Sequence, residues 1–164
     1  MKNNNNYLYI EIDMTKALIG AGCFWGIEEY YRNINGVLDT KVGYSGGHTQ
    51  NPTYEDVCYG NTEHVEVVLI KFDKDIITYR DLIDHFWLCH DPTQLDRQGP
   101  DFGRQYRSAI FYFSDEEKKI ALESRKQKQN LIAQKIVTEI TSASEFYLAE
   151  EYHQLYIQKR NKNA

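Results

Sequence analysis

The chain has 164 residues, a net charge of −5 and three cysteines. That length suits one domain with a real core, since about 150 residues bury roughly 68–70% of their unfolded surface. Acidity and the lack of a basic run argue against nucleic acid or an anionic membrane as partner. No apolar stretch approaches the ~20 residues of a membrane span, and the start lacks a signal-peptide core. An odd cysteine count with wide spacing is no disulfide framework, so a cytoplasmic, reducing setting is expected.

In chain order, residues 1–15 read as a polar tail, with four asparagines leading into Tyr7-Leu8-Tyr9-Ile10, and residues 16–160 as a single domain. Lys16 to Ile19 reads as a short buried strand. Phe24, Ile27, Tyr31 and Ile34 then recur at helical spacing, which leaves Glu28, Glu29 and Arg32 for solvent. Between the two lies Gly20-Ala21-Gly22-Cys23-Phe24-Trp25-Gly26, whose glycines supply a tight turn. Val37 to Tyr44 is predicted as a second strand and Gly43 to Pro52 as a loop. Tyr54 to Tyr59 follows as a helical turn, and Glu63 to Phe72 as a strand apolar on both faces. Thr78 caps a helix to Cys89, ended by Asp91-Pro92. Residues 91–106 read as a long functional loop. Ser108 to Phe113 is a strand, Ser114 starts a helix to about Leu131 or Ile132, Ile136 to Ile140 is a strand, and Glu150 to Lys159 a last helix. This order predicts an α/β or α+β layer architecture with helices on a mixed sheet.

Cys23 falls at the first turn of a helix, where unpaired N–H groups and the dipole favour a thiolate with a pKa below the free value of about 8.5. A lone cysteine in an apolar stretch is usually inert core. Two glycines and a Phe-Trp pair at an element boundary are features a core cysteine does not need. A dinucleotide site is disfavoured because G-x-G-x-x-x-G is one residue too long, and a P-loop is excluded because no Gly-Lys-Ser/Thr follows.

Glu66 lies mid-strand on an otherwise apolar face. Two readings stand open for it. Burial would raise its pKa and make it a general acid. Alternatively the strand start is at the surface and Glu66 is solvated, with His64 on the same face as its salt partner. His85, Cys89 and His90 lack the further ligand that a zinc site needs, so they are read as packing and loop residues, and no metal is expected.

Gly22-Cys23-Phe24-Trp25-Gly26 resembles the active-site motif of peptide methionine sulfoxide reductase A. Also in that family's order are Val42-Gly43-Tyr44-Ser45-Gly46-Gly47, Gly60-Asn61-Thr62-Glu63-His64-Val65-Glu66, His90-Asp91-Pro92-Thr93, Gln105-Tyr106-Arg107-Ser108 and Ala149-Glu150-Glu151-Tyr152-His153-Gln154. The resemblance covers roughly residues 16 to 157. It implies a two-layer sandwich, the ferredoxin-like α/β plait with a central mixed sheet, and reduction of the S epimer of methionine sulfoxide, free or in proteins. It further implies Cys23 as nucleophile, Glu66 as acid, and Tyr54 and Tyr106 as hydroxyls on the sulfoxide oxygen. Phe24 and Trp25 resemble the methyl pocket, and Asp101 the polar contact to substrate. No cofactor is implied.

Two departures from the family pattern stand out. Glu63 occupies a position where many relatives have glycine, which adds charge near the oxygen site. No cysteine follows Cys89, where the family usually carries recycling cysteines near the C-terminus. Cys58 and Cys89 are therefore the internal candidates to resolve an oxidised Cys23, and an external thiol system, thioredoxin or glutathione with glutaredoxin, is the expected reductant. A monomer is expected. The competing functions are a thiol peroxidase and a redox-sensing or methionine-binding module.

Overall fold

The computed structural model describes residues 15–162; the polar tail and Tyr7–Ile10 lie outside the described residues. One six-stranded mixed sheet organises the molecule, in the order β7-β6-β1-β3-β2-β8. Its strands are β1 (Thr15–Ala21), β2 (Val37–Ser45), β3 (Val65–Phe72), β6 (Ser108–Tyr112), β7 (Glu139–Ser142) and β8 (Tyr147–Leu148). All neighbours are antiparallel except β6 and β7. β1 and β2 run parallel with β3 inserted between them, joined by helix α1 (Phe24–Arg32). The remaining helices are α2 (Tyr54–Tyr59), α3 (Tyr79–Leu88), α4 (Asp115–Gln129) and α5 (Tyr156–Lys162).

The alternation of β3 explains the two cores. Val68, Ile70 and Phe72 join Ala17, Ile19, Val42 and Ile110 under α1 and α3, where Phe24, Ile27, Tyr31, Leu82, Ile83 and Phe86 cover them. Val65 and Val67 face the other way, with Leu18, Ala109 and Phe111, under a thinner cover of Ala143 and Phe146. Both faces of β3 are therefore buried, as its apolar run predicts. Glu66 shares the helix-covered face, which is why it is 2% exposed. That removes the solvated reading.

Local chemistry sets the helix starts. Thr53 and Thr78 each accept an N–H from a residue three positions on (Asp56, Asp81), whose carboxylate returns the bond to the threonine N–H. These reciprocal caps satisfy N–H groups the helix leaves free.

Several sequence expectations are corrected. Glu28, predicted for solvent, is 1% exposed, because Thr40 of β2 and the backbone of Leu155 close over it. The loop at 91–106 contains a small hairpin, β4 (Arg97–Gln98) with β5 (Asp101–Phe102), and a 3-10 turn at Arg104–Tyr106. The strand predicted at 136–140 begins only at Glu139. Ile136 and Val137 give their N–H groups to Gln129 and Pro92 instead of to the sheet. β8, two residues without periodicity, was not expected. The last helix is broken at Leu155, which has φ +50, into a 3-10 turn at Glu151–His153 and α5. Among the described residues no helix is long and apolar enough to cross a membrane.

Candidate active site

The turn from β1 into α1 is held close to its neighbours. Gly22 has φ +96, and a Cβ there would stand 2.8 Å from the Gln98 side chain. A Cβ on Gly20 would meet Val65 at 2.5 Å and the Glu66 carbonyl at 3.1 Å. Only glycine lets this turn settle against both β3 and the β4–β5 hairpin. Cys23 is thereby seated as the N-cap of α1.

The helix start acts on Cys23 as expected, and is outweighed. N–H groups of Trp25 and Gly26 favour the thiolate, though neither makes a full capping bond to the sulfur. Burial, followed by the negative charges of Glu66 and Asp101, pushes the thiol up to about 11. Cys23 therefore rests as a neutral thiol, and the low resting pKa expected from its helix position is corrected. Helix N–H groups lower a cysteine pKa only where solvation and neighbouring charge do not oppose them.

Glu66 faces Cys23 from β3. Its Oε1 accepts the N–H of Phe24, the residue after the cysteine, at 3.2 Å. Burial, aided by the charge of Asp101, raises its pKa to about 8, so it is mostly protonated at neutral pH. His64 is not its partner. His64 Nδ1 accepts from Gly47 N–H at 3.0 Å, which leaves Nε2–H for the Thr49 carbonyl at 2.8 Å and ties the glycine-rich loop to β3.

Two phenols complete the constellation. Tyr54 and Cys58 lie one helical turn apart on α2; the neighbouring Cys58 thiol, and then burial, raise the pKa of Tyr54. Burial and the charges of Glu66, Cys58, Asp101 and Cys23 raise Tyr106. Both remain neutral donors, and both sense Glu66. Asp101, in β5, acts on Cys23, Glu66 and Tyr106 from the hairpin side. Phe24 is 1% exposed and packs on Tyr44 and His153, and Trp25 beside it is half-buried. The predicted residues thus converge, except Cys89. Cys58 shares Tyr54 and lies in the field of Glu66. Cys89, the C-cap of α3, is turned into the core against the Phe86 carbonyl and Tyr31.

Glu63 adopts φ +62, a conformation natural to glycine, and its carboxylate is bound by Arg104 at 2.5 Å. Arg104 also pairs with Asp96, and Arg107 with Glu139. The extra charge anchors the turn that carries Tyr106. His85 and His90 take separate partners, Tyr30 for the first and Ser108 with the Phe86 carbonyl for the second.

Sequence reasoning missed Glu150. Its two carboxylate oxygens accept the Tyr44 hydroxyl at 2.9 Å and the Tyr54 N–H at 3.0 Å, which locks α2 onto β2. Its signal was present only as a position in a matching motif. A cleft lined by Ile34, His85 and Leu88, elsewhere on the surface, holds no such set of nucleophile and acid.

Chemically, the arrangement places a half-buried thiol beside a neutral carboxylic acid and two phenols. That set suits attack on an electrophile whose departing charge is on oxygen. Comparison with known proteins points the same way. The family model described as peptide methionine sulfoxide reductase matches residues 15–164. A peptide methionine sulfoxide reductase MsrA of Methanothermobacter thermautotrophicus is 57% identical over 146 residues, covering 88% of this chain and 86% of that protein. The crystal structure of reduced Mxr1 from Saccharomyces cerevisiae superposes with a TM-score of 0.87 at 38% identity, covering 92% of this chain and 88% of that one. Mxr1 in complex with Trx2 matches with a TM-score of 0.62 at 28% identity, covering 88% and 86%. The chain belongs to the peptide methionine sulfoxide reductase family and is an oxidoreductase of its A type.

Proposed function

We propose that residues 16–160 form one catalytic domain that reduces the S epimer of methionine sulfoxide, free or in oxidised proteins, with Cys23 as nucleophile and Glu66 as proton donor. The observation that carries this is the buried Glu66 carboxyl, protonated near neutrality and bonded to the peptide next to Cys23. A sulfoxide sulfur becomes electrophilic when its oxygen is protonated or strongly hydrogen-bonded. Glu66, Tyr54 and Tyr106 supply that polarisation where charge develops. The positive charge then growing on the substrate sulfur favours loss of the Cys23 proton, which the resting site holds tightly and which replaces on Glu66 the one given to the oxygen. Attack forms a sulfur–sulfur bond; its collapse releases methionine and leaves oxygen on Cys23 as a sulfenic acid. The balance is Cys–SH plus sulfoxide to Cys–SOH plus thioether: Cys23 loses two electrons and the methionine sulfur gains them. Trp25, over a floor of Phe24, receives the methyl group, and Asp101 makes a polar contact.

Regeneration falls to an outside thiol. Cys89 packs against the core, and burial holds the Cys58 thiol above its ordinary pKa. The complex of the related Mxr1 with Trx2 supports thioredoxin as the reductant, with glutathione and glutaredoxin as the other candidate. A reducing, cytoplasmic setting suits three free cysteines, and a monomer suffices for this chemistry.

The test is steady-state turnover with a chemical dithiol, on racemic methionine sulfoxide resolved by epimer and on hydrogen peroxide. Consumption of the S epimer alone, lost in Cys23→Ser, is expected. Preference for hydrogen peroxide would make the protein a peroxidase, and absence of turnover would leave a sensor or binding module.

A further inference from the structure

Trp25 is the open wall of the proposed pocket, yet the contacts that fix its ring come from the C-terminal segment. The indole Nε1–H lies 2.9 Å from His153 Nδ1, and the Tyr156 ring stacks on the indole with centroids 3.9 Å apart and planes within 13°. An indole nitrogen only donates, so Nδ1 must accept, and the single proton of neutral His153 is on Nε2. His153 is 2% exposed, and among the described residues its Nε2 has no hydrogen-bond partner. A second proton on Nδ1 would add a charge to this buried ring and set two donors against each other.

The segment is anchored on both sides of its break. Leu155 N–H donates to the buried Glu28 carboxylate at 2.7 Å, and the Gln154 amide pairs with both backbone groups of Val42 at 2.9 Å. His153 and Tyr156, which flank these two residues, therefore have little freedom to follow a moving indole.

We infer that His153 is a positioning residue for the substrate pocket: in its neutral form it accepts the Trp25 indole N–H and fixes the ring, and on protonation it releases the ring and weakens substrate binding in acid. This rests on the reading of Trp25 as the pocket wall.

The groups facing His153 set where the release occurs. Burial opposes its charge most, the Glu150 carboxylate favours it, and Lys159 of α5 opposes it. Tyr54 of α2 and Tyr152 bring neutral phenols, and Phe24 and Trp25 of α1 carry no charge. The net direction is below the ordinary histidine value of 6.5.

The chain has two tryptophans, so the full-length protein gives two indole N–H resonances. The second, from Trp87, donates to Ser124 and serves as an internal control. In wild type without substrate, the Trp25 resonance should move with a midpoint below pH 6.5 while that of Trp87 does not. In His153→Gln, which keeps an acceptor but cannot titrate, the movement should vanish. In His153→Leu the KM for methionine sulfoxide should rise about three- to tenfold with kcat nearly unchanged, whereas His153→Gln stays near wild type. If the leucine variant fails to fold, the wild-type and glutamine titrations decide. A Trp25 resonance indifferent to pH in wild type, or a leucine variant with unchanged KM, would overturn the inference. Failure of wild type to reduce sulfoxide would instead sink the proposed function, and the indole titration would still decide the pairing.

Discussion

Glu28 and Glu66 are two almost wholly buried carboxyls, one on α1 and one on β3, and their surroundings suit them to opposite work. Glu28 has a donor on each oxygen, Leu155 N–H on one and the Thr40 hydroxyl on the other. Glu66 accepts one hydrogen bond among the described residues, from Phe24 N–H. Burial raises the pKa of both. The difference lies in what the surroundings complete: Glu28 ties β2, α1 and the C-terminal segment together, whereas Glu66 is left with a proton it can give away. The half-buried thiols repeat the lesson. Cys23 and Cys89 sit at helix ends, and burial pushes them to about 11 and about 12. Cys23 has an acid beside it and Cys89 has a carbonyl and a phenol. Neighbours, more than helix position, separate the proposed nucleophile from the thiol turned into the core.

The largest effect that would break this comparison is at Glu66. Glu66→Gln keeps the shape and a donor but cannot deliver a proton, so single-turnover sulfoxide reduction should fall by about 10²–10⁴-fold. Stability should move the other way. A folded-state pKa of about 8 lies above the unfolded value of about 4.3, so the folded protein binds this proton more tightly. The associated stability is fully present below pH ~4.3 and is lost as pH rises through about 8. Glu66→Gln should therefore gain on wild type in denaturant midpoint between pH 5 and pH 9.

Glu28→Ala is the counterpart. It strands Leu155 N–H and the Thr40 hydroxyl, and should cost about 1–3 kcal/mol in urea unfolding, with kcat of the folded protein within about threefold. A large kcat loss without destabilisation would merge the two carboxyls into one role.

The pH profile sharpens the contrast. Wild-type kcat should decline above pH ~8 as Glu66 loses its proton, and Glu66→Gln should lack that limb. Smallest of all, Cys89→Ser and Cys58→Ser should leave single-turnover methionine formation within about twofold.

The part of this contrast legible in the sequence follows from periodicity. The alternation from Val65 to Phe72 announced β3 as buried on both faces and marked Glu66 as anomalous. The glycines at 20 and 22 announced the turn at Cys23. Glu28 was misplaced because a helical period shows one buried face, and the second cover comes from Leu155, more than a hundred residues away. The resting state of Cys23 was misread for a related reason. Helix position is local, whereas burial and the charges of Glu66 and Asp101 come from three separate parts of the chain. Glu150 and His153, which hold Tyr54 and Trp25, gave no signal beyond their place in a matching motif, since their roles depend on pairings across 96 and 128 positions.

The most direct measurement is one turnover without any reductant: wild type mixed with racemic methionine sulfoxide, followed by epimer-resolved methionine release and mass spectrometry of the Cys23 peptide. One methionine per protein, formed from the S epimer, with a single oxygen or a probe-reactive sulfenic acid on Cys23, is the result predicted here. Methionine release that leaves Cys23 unmodified, or that continues in Cys23→Ser, would contradict it.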